Sequence, residues 1–265
     1  MSRGDFLDLL LSSGYSFVSP SPLPYERSNV QTFNDIHGTT IMAMKYKEGV
    51  IVVGDRRAVS GTAIIHDRAD KVMEIDERSV LAISGSPAMA VEIARTLEHS
   101  IKYYRRSQLQ DMSLEGKLRM LSRLLKENLP LALQGIGPVV PIFATYDLPS
   151  DSGKIYFYDL LGARFESAEF ATSGSGSIWI RGALYYLNRW EKPLSQRDLE
   201  EGLAIALRLM DAAAEYDAAT GGYSRGSHIL PTVKVITRDG VNAIDDRLLM
   251  RIYEEHVETR DVRAL

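Results

Sequence analysis

From Thr39 to Tyr46 two threonines lead into the apolar run Ile41–Met44, which Lys45 and Tyr46 close, and Gly49–Gly54 (GVIVVG) is an unbroken apolar run. Both patterns predict strands, the second a buried one. Lys71–Ile75 and Val80–Ser84 continue the strand pattern, with Gly54-Asp55 and Ser60-Gly61 as the intervening turns. At Ser84-Gly85-Ser86-Pro87 the period becomes helical: Ser86 suits an N-cap and Pro87 the first helical position. Val91, Ile93, Ala94, Leu97 and Ile101 then recur at helical spacing. A second helix is expected from near Ser113, with Leu118, Leu121, Leu125 and Leu129 on one stripe, a kink at Pro130 and an end between Gly135 and Pro138. Strands return at Val139–Tyr146, Lys154–Tyr158 and Glu169–Thr172. Helices follow over Ile178–Trp190 and Ser195–Tyr216. The second of these opens on Ser195 and Asp198 in capping-box spacing and repeats Leu199, Leu203, Leu207, Met210 and Ala214. Strands at Ile229–Thr237 and Val241–Ile244 and a closing helix over Arg247–Val257 complete the chain.

Runs of strands followed by runs of helices argue against a parallel βαβ sheet. The order predicts an α+β fold of four layers, αββα: two antiparallel sheets face to face, with a helix pair outside each. Residues 1–38 stand apart. They carry Ser-Pro-Ser-Pro-Leu-Pro at 19–24 and no sustained period, so they read as an extended leader to a domain spanning residues 39–265. Phe6, Leu9, Leu10 and Phe17 could dock that leader on a surface.

Composition narrows the chemistry. At 265 residues, 45% apolar and 25% charged, the chain is an ordinary globular sequence. A formal net charge of −4 gives no nucleic-acid footprint, and no apolar run approaches the ~20 residues of a membrane span. The absence of cysteine removes disulfides and thiol catalysis, and fits a reducing, cytoplasmic setting. The five histidines (His37, His66, His99, His228 and His256) are scattered, with no pair at metal-ligand spacing. Asp5 and Asp8 interrupt the apolar start of the chain, which argues against a secretion signal.

Three patterns compete for the active chemistry. Gly174-Ser175-Gly176 begins like a dinucleotide loop, but Trp179 occupies the place of the third glycine. Gly222-Tyr223-Ser224-Arg225-Gly226 matches the esterase motif G-x-S-x-G, with His228 just beyond. That motif needs a strand before the serine and a helix after it, and here the order is reversed. The third pattern is distributed. Thr39 opens the first strand in His37-Gly38-Thr39-Thr40-Ile41, Asp55 ends the second, and Lys71 opens a later one. Internal threonine is a poor nucleophile, but cutting the Gly38-Thr39 bond would place a free α-amine beside its own Oγ as a general base. A nearby ammonium, kept charged by a carboxylate, would ease ionisation of that hydroxyl, and Lys71 and Asp55 could fill those roles. The Gly85 N–H, at a strand-to-helix switch, could hold an oxyanion. Taken singly, each residue also has an ordinary account: a turn carboxylate, an edge lysine, a helix lead-in.

Together, however, these motifs resemble proteasome β-type subunits, most closely the actinobacterial 20S type. The residues that carry the likeness are the Gly-Thr-Thr-Ile start, Gly54-Asp55-x-Arg57, Lys71-Val72, Ser84-Gly85, Gly174-Ser175-Gly176 and Tyr216-Asp217-Ala218-Ala219-Thr220-Gly221-Gly222. The resemblance implies the N-terminal nucleophile hydrolase fold, in agreement with the four layers above. It implies Thr39 as nucleophile, freed when the subunit cleaves its own Gly38-Thr39 bond, with residues 1–38 as a propeptide. Asp55 and Lys71 match the family's catalytic carboxylate and lysine. Ser175, Asp217 and Thr220 match the positions that orient the threonine amine and its water, Thr220 standing where serine is frequent. Gly85 matches the oxyanion donor. Ala58, Ala69, Met73, Ile83 and Val91 fall in the first specificity pocket, all apolar, which implies cleavage after hydrophobic residues. Backbone groups at Val59, Gly85 and residue 87 would pair with substrate, but Pro87 has no N–H to donate. No metal or organic cofactor is implied. The implied partners are α subunits in an α7β7β7α7 barrel with a β homo-heptamer, a ring ATPase and tagged protein substrates. Two alternatives stay open: an HslV-type peptidase, and a non-catalytic ring subunit that keeps the fold without activity.

Overall fold

The computed structural model describes residues 39–60, 63–223 and 229–258. The leader, Gly38, and residues Ser224–His228 of the G-x-S-x-G match lie outside the described residues.

Alternation of side chains along each strand builds three apolar layers. Strand β1 (Thr40–Tyr46) pairs antiparallel with β2 (Gly49–Gly54) and with β10 (Phe170–Gly174). Strands β11 (Thr232–Thr237) and β12 (Gly240–Ala243) complete a five-stranded sheet in the order β10-β1-β2-β11-β12. The second sheet runs β5-β6-β7-β8-β9, from Val72–Asp76, Ser79–Gly85, Val139–Asp147, Ser152–Tyr158 and Arg164–Ser167, again antiparallel throughout. Ile41, Ala43, Val50 and Val52 of the first sheet meet Val80, Ala82, Ile142 and Ala144 of the second in the central layer. The residues between them in sequence face outward. Met42, Met44, Ile51 and Val53 pack under helices α3 (Ser177–Trp190), α4 (Leu199–Tyr216) and α5 (Asp246–His256). Leu81, Ile83 and Phe143 pack under α1 (Pro87–Gln108) and α2 (Leu114–Ala132). Both faces of the central strands are thus covered, which is why GVIVVG can be apolar at every non-glycine position. At roughly 1.5–3 kcal/mol for each fully buried aliphatic side chain, these three layers dominate the folding energy.

Several elements depart from the sequence expectation. The capping box of α4 is made by Asp198 and Glu201, while Ser195 lies in a separate 3-10 turn, Leu194–Gln196. The strand expected at Glu169–Thr172 spans Phe170–Gly174, because it pairs with β1 up to Thr40 opposite Gly174. The hairpin of β3 (Ala58–Ser60) and β4 (Ala63–His66) was not foreseen, and neither was β9. Every residue of β4 is exposed, so it carries no burial signal. Ser86 caps α1 only through its backbone position, without a side-chain hydrogen bond. Leu124 joins the buried stripe of α2 and Leu129 is only half-buried. The closing helix α5 adds a third helix to one outer layer, packing Leu249 and Ile252 against the α4 core.

Candidate active site

The antiparallel register brings four chain segments to one end of the sheets. Ile41 stands opposite Gly54 and Thr40 opposite Gly174, so Thr39, Asp55 and Ser175 emerge together. In the second sheet Val72 pairs with Ala82, and the Ile83 N–H donates to the Lys71 carbonyl at 3.0 Å, which sets Lys71 beside the end of β6. Gly85 closes β6 at φ +108°, a conformation that favours glycine, and a Cβ there would collide with the Pro138 carbonyl.

Asp55 is fully buried. Its Oδ1 accepts from the Thr40 N–H at 2.7 Å and from Lys71 Nζ at 2.7 Å. Its Oδ2 accepts from the backbone N–H groups of Arg57 and Gly221, each at 3.0 Å. Lys71, 8% exposed, also donates to the Arg57 carbonyl at 2.5 Å. Burial pushes the Lys71 amine below its ordinary pKa, and the Asp55 carboxylate pulls the other way. Arg57 in turn donates through Nη1 to the carbonyls of Ala218 and Thr220, tying this pair to the loop after α4.

That loop carries the second group. Asp217 is the C-cap of α4. Its Oδ2 accepts from Ser175 Oγ at 2.6 Å and from Thr220 Oγ1 at 2.5 Å, and its Oδ1 from the Ala219 N–H at 3.1 Å. The Ser175 N–H donates to the Thr39 carbonyl at 3.0 Å. Thr40, which the sequence reading left without a role, joins both groups: its hydroxyl lies 2.6 Å from Thr220 Oγ1 and accepts from the Gly176 N–H at 2.9 Å. Only the adjacency of two threonines at the first strand hinted at it.

Beside Thr39 opens a cavity of about 210 Å³. Ala58, Ala69, Met73, Ile83 and Val91 all line it, together with Gly85 and Pro87. Val91 sits 45% exposed on α1, turned from the core that Ala90 and Ala94 enter, and so its side chain belongs to this wall. Ile65, His66 and Asp70 add to the lining from the unforeseen hairpin and the turn after it, and Ala90 from α1. Val59 does not line the cavity; it pairs with Ile64 inside the hairpin. Among the described residues, the closest grouping of potential metal ligands is Glu200, Glu255 and His256, on the outer helices α4 and α5.

A four-layer αββα sandwich with a threonine, a buried lysine–aspartate pair and a hydroxyl–carboxylate cluster at one sheet end defines the class of an N-terminal nucleophile hydrolase fold. Sequence comparison places the chain within that class. The proteasome subunit family matches residues 36–225, and the chain belongs to this family. It is 38% identical to proteasome subunit beta 2 of Thermomonospora curvata, over 99% of this chain and 91% of that one. It is 39% identical to the proteasome subunit beta of Jonesia denitrificans (92% and 82% covered) and 35% identical to that of Streptomyces griseus (96% and 88%). The chain is accordingly a β-type subunit, of a hydrolase family whose members assemble with other subunits into a proteasome core. Among the described residues no helix is long and apolar enough to cross a membrane.

Proposed function

We propose that this subunit is a threonine-type endopeptidase, matured by cleavage of its own Gly38-Thr39 bond. The observation that carries the reading is the convergence at Thr39 of the Lys71–Asp55 pair, the Ser175–Asp217–Thr220 cluster and an apolar cavity. In this reading residues 1–38 form a propeptide and the catalytic domain begins at Thr39. The freed α-amine takes the proton from Thr39 Oγ as the oxygen attacks the substrate carbonyl. Lys71, charged and held by Asp55, stabilises the developing alkoxide, while the Gly85 N–H receives the carbonyl oxygen as it becomes an oxyanion. Ser175, Asp217 and Thr220 orient the amine. The amine's proton passes to the leaving amine, an ester to Thr39 remains, and water hydrolyses it to release the acid and restore the hydroxyl.

The lining by Ala58, Ala69, Met73, Ile83 and Val91 favours a hydrophobic residue before the scissile bond. An extended substrate would lie along Val59 and Gly85 as an added strand, lacking one hydrogen bond at Pro87. The assembly we infer is an α7β7β7α7 barrel in the cytoplasm, with β homo-heptamers, fed tagged and unfolded proteins by a ring ATPase.

The test is the intact mass of the full-length chain co-expressed with an α-type subunit, beside its Thr39→Ala variant. A chain beginning at Thr39, cleaving peptides after hydrophobic residues, and an uncut, inactive Thr39→Ala chain are the expected results. An assembled wild-type chain that keeps residues 1–38 would overturn the reading in favour of a non-catalytic ring subunit.

A further inference from the structure

The position of Thr40 goes beyond the residues assigned above, and the inference drawn from it rests on the reading of Thr39 as the nucleophile. Its backbone is held by the first carboxylate: the Thr40 N–H donates to Asp55 Oδ1 at 2.7 Å, and the Thr40 carbonyl accepts from the Asp55 N–H at 3.0 Å. Its side chain reaches the second only through Thr220. The Gly176 N–H can only donate, so Thr40 Oγ1 accepts there. Thr220 Oγ1 gives its proton to Asp217 Oδ2 at 2.5 Å. A hydroxyl carries one proton, so in the 2.6 Å contact between the two threonines Thr40 must be the donor. The result is a directed chain from the Gly176 N–H through Thr40 and Thr220 to Asp217. Both threonines are fully buried, and a Cβ on Gly176 would lie 2.6 Å from each hydroxyl oxygen. The packing is therefore closed around this chain.

We propose that the Thr40 hydroxyl is a positioning group for the peptidase reaction. By donating to Thr220 it commits the Thr220 proton to Asp217, and so holds that carboxylate against Ser175, whose backbone N–H fixes the Thr39 carbonyl. The peptide plane joining Thr39 to Thr40 is anchored at one edge by Ser175 and at the other by Asp55. Thr40 is the residue through which the two carboxylates share one frame. If the hydroxyl did no more than satisfy the Gly176 N–H, its loss would lower stability and leave kcat per processed, assembled chain where it was.

The experiment uses the full-length chain co-expressed with an α-type subunit, as wild type, Thr40→Val and Thr40→Ser. Intact mass gives the processed fraction, and kcat and KM are measured on a fluorogenic peptide. Thr40→Val keeps the side-chain volume but leaves Thr220 Oγ1 and the Gly176 N–H without their partner. The expected result is a kcat about tenfold lower per processed chain at nearly unchanged KM. Thr40→Ser is expected to restore kcat. A Thr40→Val enzyme with kcat like the wild type overturns the proposal, as does a loss that Thr40→Ser does not rescue. If Thr40→Val fails to assemble, Thr40→Ala carries the same expectation. Failure of both variants beside an assembled Thr40→Ser would assign the hydroxyl to folding and overturn positioning. A wild type that processes and turns over keeps the threonine reading whatever Thr40→Val does; an unprocessed, inactive wild type overturns both.

Discussion

The two carboxylates that flank Thr39 and Thr40 are built in opposite ways. Asp55 is fully buried at the end of a central strand and receives three backbone N–H groups and the Lys71 ammonium. Asp217 is half-buried at the end of a helix and receives two hydroxyls and one backbone N–H. The first is a fixed charge pair whose donors cannot be withdrawn without breaking the sheet end. The second is a set of neutral donors, two hydroxyls and a backbone amide, on a loop that Arg57 fastens from outside. The contrast separates tasks: an ion pair in low dielectric holds a charge in place, whereas hydroxyls can pass protons and reorient.

The largest effect expected from this contrast is at Lys71. Lys71→Met would leave Asp55 buried without its cation, lowering stability by about 3–5 kcal/mol. It would also remove peptidase turnover by on the order of 10³-fold, given the ~10²–10⁴-fold worth of a positioned acid–base group. Denaturant unfolding and single-substrate kinetics on the processed particle read both. Asp217→Asn should separate the two quantities: turnover falls about 10²-fold while stability changes by only about 1 kcal/mol. A stability loss as large as that of Lys71→Met would break the distinction between the two carboxylates.

A subtler expectation concerns pH. Burial lowers the Lys71 pKa below its ordinary 10.5. If turnover needs the ammonium, the alkaline limb of the wild-type pH–rate profile falls below that value. Between the folded and unfolded pKa values the folded chain binds fewer protons than the unfolded one, so this group's contribution to stability rises with pH there. The stability of wild type relative to Lys71→Met should therefore grow as pH increases through that window while wild-type turnover declines. A gap that stays constant or shrinks would place the lowered pKa in error. The smallest effect belongs to Thr220→Ser, which keeps the hydroxyl that donates to Asp217; kcat within about twofold of wild type is expected, and a tenfold loss would show that the methyl group matters more than the proton.

Much of the fold was legible in the chain because the strands obey simple periods. GVIVVG and the Thr39–Tyr46 stretch predict strands, and the leucine stripes predict α2 and α4 with their apolar faces inward. The hairpin Ala58–His66 was illegible for the same reason: every residue of β4 is exposed, so no burial pattern marks it. The α4 N-cap lies three residues beyond Ser195, because Ser195 and Asp198 both carry capping side chains and only the helix geometry chooses Asp198 with Glu201.

The candidate residues Thr39, Asp55, Lys71, Gly85, Ser175, Asp217 and Thr220 were picked out by motif likeness, since they lie up to 181 positions apart and no local pattern joins them. Their partners were a different matter. Antiparallel register puts Thr40 opposite Gly174 and Ile41 opposite Gly54, and this alone decides that Asp55 meets the Thr40 N–H while Ser175 meets the Thr39 carbonyl. By itself, then, the sequence determined the layers, the family likeness and the residue types at the site, because hydrophobic period and side-chain chemistry are local properties. The proton directions through Thr40, the side of α1 on which Val91 lies and the shared wall of the cavity were decided only by tertiary structure. Each depends on distances between segments remote in the chain, and only the packing of two sheets sets those distances.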